Sequence, residues 1–214
     1  MLQKYTHIIW DWNGTLLDDV DWCVTTINII RKKNGLPVFE SVEEYHSVFG
    51  FPIKDYYLRA GFDFEKVSFE KLAVEYIDLY HGDGCNFQLF PDAKKVLSKF
   101  QARGIRQVIL SASERSNLLS QVVPLGIAPY FDEILGISDI YATSKVDIGK
   151  AYMNRTKPER ALLIGDTTHD KQVADSLGVD CVLVATGHQS KRVLQEAAVV
   201  MDCLEDVANL LYIE

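Results

Sequence analysis

The chain has no apolar run of the ~18–20 residues that a membrane-spanning helix needs, so no membrane partner is expected. Its first apolar stretch, Ile8-Ile9-Trp10, is stopped by Asp11, far short of a secretory signal core. Positive charge is scarce: 22 Lys and Arg stand against 30 Asp and Glu, a net of −8 over 214 residues. Non-specific nucleic-acid binding needs a clustered positive field, so no nucleic-acid partner is expected either. A small anionic metabolite stays admissible, because one metal ion and one lysine can neutralise a phosphate locally. The four cysteines, Cys23, Cys85, Cys181 and Cys203, form no CxxC pair, which excludes a zinc ribbon and a thioredoxin motif. Reduced thiols and a cytoplasmic location are the corresponding expectation. HExxH, GxxxxGK[ST] and a GxGxxG after a strand are all missing, as are internal repeats and low-complexity segments. At 48% hydrophobic and 24% charged residues, the chain is neither disordered nor collagen-like.

What is present is an alternating pattern. His7 to Trp10 reads as a buried strand running into the tight turn Asp11-Trp12-Asn13-Gly14-Thr15. From Val20 the apolar residues Cys23, Val24, Ile27 and Ile30 share one helical face, up to a stop at Asn34-Gly35. Ser41-Val42-Glu43-Glu44 fits a capping box, and helices follow over about 53–60 and 69–81. No strand is expected between Asp18 and Asp83, and Gly82-Asp83-Gly84 reads as a hinge. Beyond it, strands are expected at 107–111, 133–137, 161–164 and 181–185. Helices separate them, and a last short strand and helix fall within 194–212. Strands alternating with helices imply a doubly wound parallel α/β sheet covered on both faces, with ligands at the carboxyl ends of the strands.

Three of these strands end in a group able to hold a metal or a phosphate: Asp11, Ser111 and Asp166. Each alone reads equally well as a turn or cap residue. Asp166 and Asp170 add a carboxylate pair at a strand end and in the first turn of the next helix, suited to one hard cation. Lys145 opens a predicted helix 21 residues before Asp166. Lys150, about one turn later, is the alternative site lysine.

Taken together, the segments resemble the haloacid dehalogenase superfamily of aspartyl-phosphate-forming hydrolases, in particular its phosphoglycolate-phosphatase-like members. Asp11-Trp12-Asn13-Gly14-Thr15-Leu16 matches the first motif and Val108 to Ser111 the second. Lys145 matches the third, and Gly165-Asp166 with Asp170 the fourth, in the family's order over essentially the whole chain. The resemblance implies an α/β core from residues 1–17 and 88–214 and an inserted all-helical cap from 18–87. It implies a Mg²⁺-dependent phosphatase acting on a small phosphorylated metabolite, as a monomer or a homodimer. Asp11 would be the nucleophile. Mg²⁺ would be held by Asp11, the carbonyl of Asn13, Asp166 and Asp170. The phosphate would meet Gly14, Ser111, Ala112 and Lys145.

One position departs from the family pattern. Asn13 stands where the family has the aspartate that protonates the leaving alkoxide and activates water, and an amide does neither. Losing such help typically costs ~10²–10⁴-fold in rate. A good leaving group, another side chain (His169, His46 or Lys54), or deamidation at Asn13-Gly14 would each compensate. Two rival readings follow. One is a metal- and phosphate-binding regulator with little turnover, favoured by Asn13. The other is a dehalogenase of the same fold, opposed by the carboxylate pair Asp166 and Asp170. Substrate choice is expected in the cap loop Phe49-Gly50-Phe51-Pro52-Ile53-Lys54, with Lys54 or Arg59 reaching an anionic tail. Trp10, Trp12 and Trp22 are expected to pack around the hinge.

Overall fold

The computed structural model describes residues 5–82, 84–137 and 144–211. Asp83 of the expected hinge and Tyr212 at the expected end of the last helix lie outside the described residues. In chain order the elements begin with β1 (His7–Trp10), β2 (Leu17–Asp18), α1 (Val20–Lys33), α2 (Val42–Val48), α3 (Ile53–Arg59), α4 (Phe69–Tyr80) and β3 (Gln88–Leu89). They continue with α5 (Ala93–Ala102), β4 (Arg106–Glu114), α6 (Arg115–Val122), β5 (Glu133–Ile137), α7 (Lys145–Thr156), β6 (Ala161–Gly165) and α8 (Thr168–Leu177). Finally come β7 (Asp180–Val184), α9 (Lys191–Gln195), β8 (Val199–Met201) and α10 (Leu204–Leu210).

Six strands form one parallel sheet in the order β5-β4-β1-β6-β7-β8. The fold is therefore the doubly wound α/β class that the alternation implied. Side chains alternate across the sheet as the period of two requires. Ile8 and Trp10 of β1 face one core, with α5, α6 and α10 packed on it through Leu97, Phe100, Leu118 and Val207. Ile9 faces the other, with Val108, Leu163 and the α7 and α8 residues Tyr152, Val173 and Ala174. Trp10 and Trp12 are fully buried in the first of these cores. Their indole N–H groups donate to Gln107 and Gln121, which is why neither ring nitrogen is orphaned.

Helices α1 to α4 form a helical insert with an aromatic-rich core of its own: Ile27, Ile30, Tyr45, Tyr56, Tyr57, Phe62 and Leu72 are all buried in it. Where the chain enters and leaves this insert, β2 and β3 pair as a two-stranded antiparallel ribbon, Leu17 with Leu89 and Asp18 with Gln88. Hydrophobic periodicity could not announce it, because two residues are too short to show a period. The Trp22 indole closes the insert on itself by donating to the Tyr80 carbonyl.

Chain order and spatial order diverge at β1. From β1 the winding runs outward through β4 to β5 on one side and through β6 to β8 on the other. A crevice opens at such a switch point, beyond the carboxyl ends of β1, β4 and β6.

Candidate active site

The carboxyl ends of three neighbouring strands deliver the crevice's polar groups. Asp11 follows β1, Ser111 lies within β4, and Asp166 follows β6, with Asp170 in the first turn of α8. Carboxylate oxygens of Asp11, Asp166 and Asp170 lie within 4.8 Å of one another. Lys145, the first residue of α7, is buried and reaches between two of them. Its ammonium is hydrogen-bonded to Asp11 Oδ1 and lies 2.6 Å from Asp170 Oδ1. Lys150 is exposed, so Lys145 is the lysine that enters the crevice.

Three carboxylates share this site with one ammonium, and the charges respond accordingly. Burial, together with the neighbouring Asp170, raises the pKa of Asp11. Burial again, with Asp11 and Asp170 adding to it, raises that of Asp166 against the opposing charge of His188. For Asp170 burial pulls upward too, but Lys145 and the Thr167 hydroxyl outweigh it and hold the carboxyl below its usual range. Burial alone would lower Lys145; Asp11 and Asp170 more than offset it and keep the amine charged. A trio of close carboxylates, short of two positive charges with only Lys145 among them, is the donor chemistry that a hard divalent cation satisfies.

Close approach around Asp166 depends on absent side chains. Gly14, in the left-handed region at φ +69°, lies against the Asp166 carboxylate, and so does Gly187. His188 N donates to Asp166 Oδ2 at 2.6 Å, and Thr15 Oγ1 donates to Asp166 Oδ1 at 3.0 Å. Gly187→Ala is expected to cost about 1–3 kcal/mol through overpacking against Asp166. Chemical denaturation checks this, with the midpoint falling at unchanged slope; an unaltered midpoint would show that the loop yields freely.

Ser111 is buried, and its Oγ accepts the Ser113 amide at 3.0 Å, which leaves the hydroxyl proton available to a ligand. The β4–β5 register shifts between Leu110 and Glu114, so the Ser111-Ala112-Ser113 segment leaves the regular ladder at the crevice wall. Ser111 and Ala112 both line the chamber there.

Asn13 sits in a network that its sequence neighbourhood did not disclose. Its Nδ2 donates to Asp19 Oδ2 at 2.8 Å and to the Tyr80 hydroxyl at 2.9 Å, while its Oδ1 accepts from Ser113 Oγ at 3.1 Å. Asp19 is buried at the N-terminus of α1 but makes no side-chain cap there. Instead its carboxylate accepts Tyr80 OH at 2.6 Å and Gly14 N at 2.9 Å, with His188 Nε2 at 3.4 Å. Burial would raise the pKa of Asp19, but His188, Tyr80 and Asn13 together lower it, so it is an anion. Its charge in turn overcomes the burial of His188 and lifts that imidazole to about 9. Tyr45 OH lies 2.9 Å from His188 Nδ1 and completes the chain of contacts into the insert. The Gly14 amide is also bonded to the Leu17 carbonyl at 3.0 Å. Deamidation needs that nitrogen to attack the Asn13 side chain, so the fold holds it back.

Asp19, Tyr80 and His188 are thus site residues that the sequence reading did not single out. His188 carried one signal: Thr186-Gly187-His188-Gln189 follows an apolar strand, as Asp11 and Asp166 do. Of the substitutes for Asn13, His169 lines the chamber and stacks on Phe51 with ring centroids 4.4 Å apart. His46 Nε2 donates to the Gly187 carbonyl at 2.9 Å. Lys54 lies over the Phe64 and Phe69 rings, and Arg59 Nε donates to the Val48 carbonyl at 2.7 Å. Neither lines the chamber, so the expected cationic reach toward an anionic tail is not made. Aromatic rings of the insert hold the lysine ammonium, and the carbonyl at the end of α2 captures the guanidinium.

The crevice continues into a chamber of about 390 Å³ roofed by the insert. Among the described residues no helix is long and apolar enough to cross a membrane.

A family model for haloacid dehalogenase-like hydrolases matches residues 8–184. The tyrosine-protein kinase PtkA of Mycobacterium tuberculosis is 28% identical over 185 residues, covering 85% of this chain and 62% of that protein. The chain therefore spans under two thirds of that relative's length. The phosphoglycolate phosphatase of Caulobacter vibrioides is 25% identical over 197 residues, covering 87% and 81% of the two chains. Among solved structures, that of M. tuberculosis PtkA superposes with a TM-score of 0.82 at 23% identity, covering 99% of this chain and 100% of that one. A haloacid dehalogenase-like family hydrolase from Streptococcus pneumoniae superposes at 0.80 and 22% identity, covering 96% and 98%. At these identities the superpositions establish the fold.

Proposed function

The chain belongs to the haloacid dehalogenase-like hydrolases, and from that premise we propose that it is a Mg²⁺-dependent phosphatase of small phosphorylated metabolites. The observation that carries the reading is the trio Asp11, Asp166 and Asp170 with Lys145, at the carboxyl ends of adjacent parallel strands. Residues 18–87 act as the cap that closes over the crevice, supported by their separate core and by the β2–β3 ribbon at their base.

Asp11 attacks phosphorus in line with the departing oxygen, forming an aspartyl phosphate that water then hydrolyses. Lys145 neutralises charge on the transferring group, and the free Ser111 hydroxyl proton and the backbone at Ala112 bind its oxygens; the Gly14 N–H, expected to join them, is taken by Asp19 and the Leu17 carbonyl. Asp11, Asp166, Asp170 and the Asn13 carbonyl would hold the metal. When bound, Mg²⁺ supplies charge screening between the carboxylate and the phosphate, two anions that must meet. Asn13 has no proton to give the leaving oxygen, so esters of weakly acidic alcohols turn over slowly. The same residue favours a second reading, a phosphate-binding regulator of low turnover.

Phosphate release with Mg²⁺, after chelation and on adding Mg²⁺ back tests the proposal. Release lost on chelation and restored on addition is the expected result. Release indifferent to Mg²⁺ would reject it, and metal-dependent phosphate binding without release would select the regulator.

Metal binding should also depend on pH. The raised pKa values of Asp11 and Asp166 mean that the metal-free folded state holds protons which the unfolded chain has released. That stability is present below the ordinary carboxyl range near pH ~4 and is lost as pH rises through the elevated values. Mg²⁺ displaces those protons, so its affinity should increase as pH rises through the same window. Isothermal titration at several pH values measures this. Saturation at a hundredfold excess over Kd should add ~2.7 kcal/mol of stability; flat affinity would contradict it.

A further inference from the structure

We propose that the leaving group is an aromatic alcohol, so that the substrate is a small aryl phosphate monoester whose ring occupies the chamber above Asp11. The proposal rests on the phosphatase reading and adds the substrate class to it.

The first observation is the chamber's wall. Its volume of about 390 Å³ is of ligand size and is continuous with Asp11, Lys145 and Asp166. Away from those charged groups it is built from Phe49, Phe51, Tyr76, Ile77 and Tyr80. Phe51 already stacks on His169 at an interplanar angle of 24°, so its rim offers a flat aromatic face. Phe51 and Ile77 are among the large apolar side chains that the chain leaves exposed. A planar ring gains offset-stacked or edge contacts on such walls beyond its area burial.

The second observation is the chamber's charge. Among the described lining residues, Lys145 is the only Lys or Arg, and it is engaged by Asp11 and Asp170. His81 is kept below its usual pKa by burial first, and is neutral; the His169 ring is stacked on Phe51. His188 Nε2 is paired with Asp19 Oδ1 at 3.4 Å. Glu114, also on the wall, is an anion held by the Ser116 and Asn117 amides. A carboxylate tail would meet no unpaired Lys or Arg among the described lining residues and would face Glu114, a costly arrangement. An uncharged ring meets no such penalty.

The third observation is chemical. Asn13 is locked by Asp19, Tyr80 and Ser113, and cannot protonate a departing alkoxide. Phenolate, the conjugate base of an acid with pKa ~10, leaves without that help. In the balanced step, the phosphorus–oxygen bond to the aryl group breaks as the Asp11–phosphorus bond forms. The electron pair leaves on phenolate, which takes its proton from solvent.

The test separates ring recognition from leaving-group acidity. Four esters are compared with Mg²⁺: phenyl phosphate, benzyl phosphate, hexafluoroisopropyl phosphate and 2-phosphoglycolate. Phenyl and benzyl esters carry a ring, whereas phenyl and hexafluoroisopropyl esters carry acidic leaving groups. The expected result is a KM at least ~10-fold lower for both ring esters than for phosphoglycolate, with phenyl phosphate also highest in kcat. In parallel, calorimetry with Mg²⁺ should show benzylphosphonate binding at least ~10-fold more tightly than phosphonoacetate. Ile77→Lys, on the exposed edge of α4, should reverse both preferences by placing a cation at the mouth. Equal or better use of phosphoglycolate overturns the inference while leaving the phosphatase reading intact. So does a phenyl advantage matched by the hexafluoroisopropyl ester, with benzyl phosphate showing no gain in KM. A phosphotyrosyl peptide used better than phenyl phosphate would overturn the restriction to small esters. If no ester is hydrolysed, the phosphatase reading fails, and the phosphonate comparison still decides the chamber's preference.

Discussion

Asp11→Asn is expected to lower phosphate release by at least ~10⁴-fold, the scale on which removing a covalent nucleophile acts. An amide nitrogen or carbonyl oxygen at this position does not form the acyl phosphate. The loss should fall on kcat, and acid-quenched wild-type protein should carry a phosphoryl group that the variant does not. The variant should fold. It removes one of three crowded carboxylates, and Lys145 keeps Asp170 as its partner at 2.6 Å. The metal-free melting temperature should therefore hold or rise. A variant retaining more than about one part in a hundred of wild-type kcat would reject Asp11 as the nucleophile.

Exchanging the two side chains at 13 and 19 should have the next largest effect. Asn13→Asp alone sets a second carboxyl against Asp19, which is buried and already accepts from Tyr80 and Gly14. Two carboxyls in one buried site cannot both ionise, so the new one keeps its proton and spends it on Asp19. Little gain in turnover and a loss of stability are expected. Asn13→Asp combined with Asp19→Asn puts an amide donor where the anion stood and leaves a carboxyl at 13 free to exchange its proton. The double variant should raise kcat for an alkyl phosphate by about 10²-fold or more, and that for an aryl phosphate much less. Rates for the two ester classes across the wild type, both single variants and the double variant decide it. A full gain from Asn13→Asp alone would show that Asp19 does not restrain position 13.

Much of this site could be read from the order of residues. Each apolar strand that ends in a polar group at the switch point announces itself locally, and Asp11, Ser111 and Asp166 do so within a few residues of their strands. Lys145 and Asp170 were legible as openings of helices, because α7 and α8 begin where their cap residues Ser144 and Thr167 place them. Alternation of strands and helices likewise fixes the winding, since a parallel pair needs a crossover between its strands.

The partners of Asn13 were not legible. Asp19 stands at the start of a helix, where an aspartate usually caps, and nothing nearby says that its carboxylate turns away to meet Tyr80, 61 residues on, and His188. Lys54 and Arg59 show the converse: their charge suggested reach into the site, and packing in the insert took both away.

By itself, then, the sequence determined the α/β class, the strand ends that carry the carboxylates, and an amide rather than a carboxyl at position 13. These depend on periodicity and on side-chain chemistry within a few residues. Tertiary structure alone decided what holds Asn13, which lysine enters the crevice, and that the chamber is aromatic and, among the described residues, lined by no unpaired Lys or Arg. Those properties arise where α1, α4 and the loop after β7 converge on the end of β1. Side chains remote along the chain compete there for a few buried donors and acceptors, and only the folded geometry chooses among them.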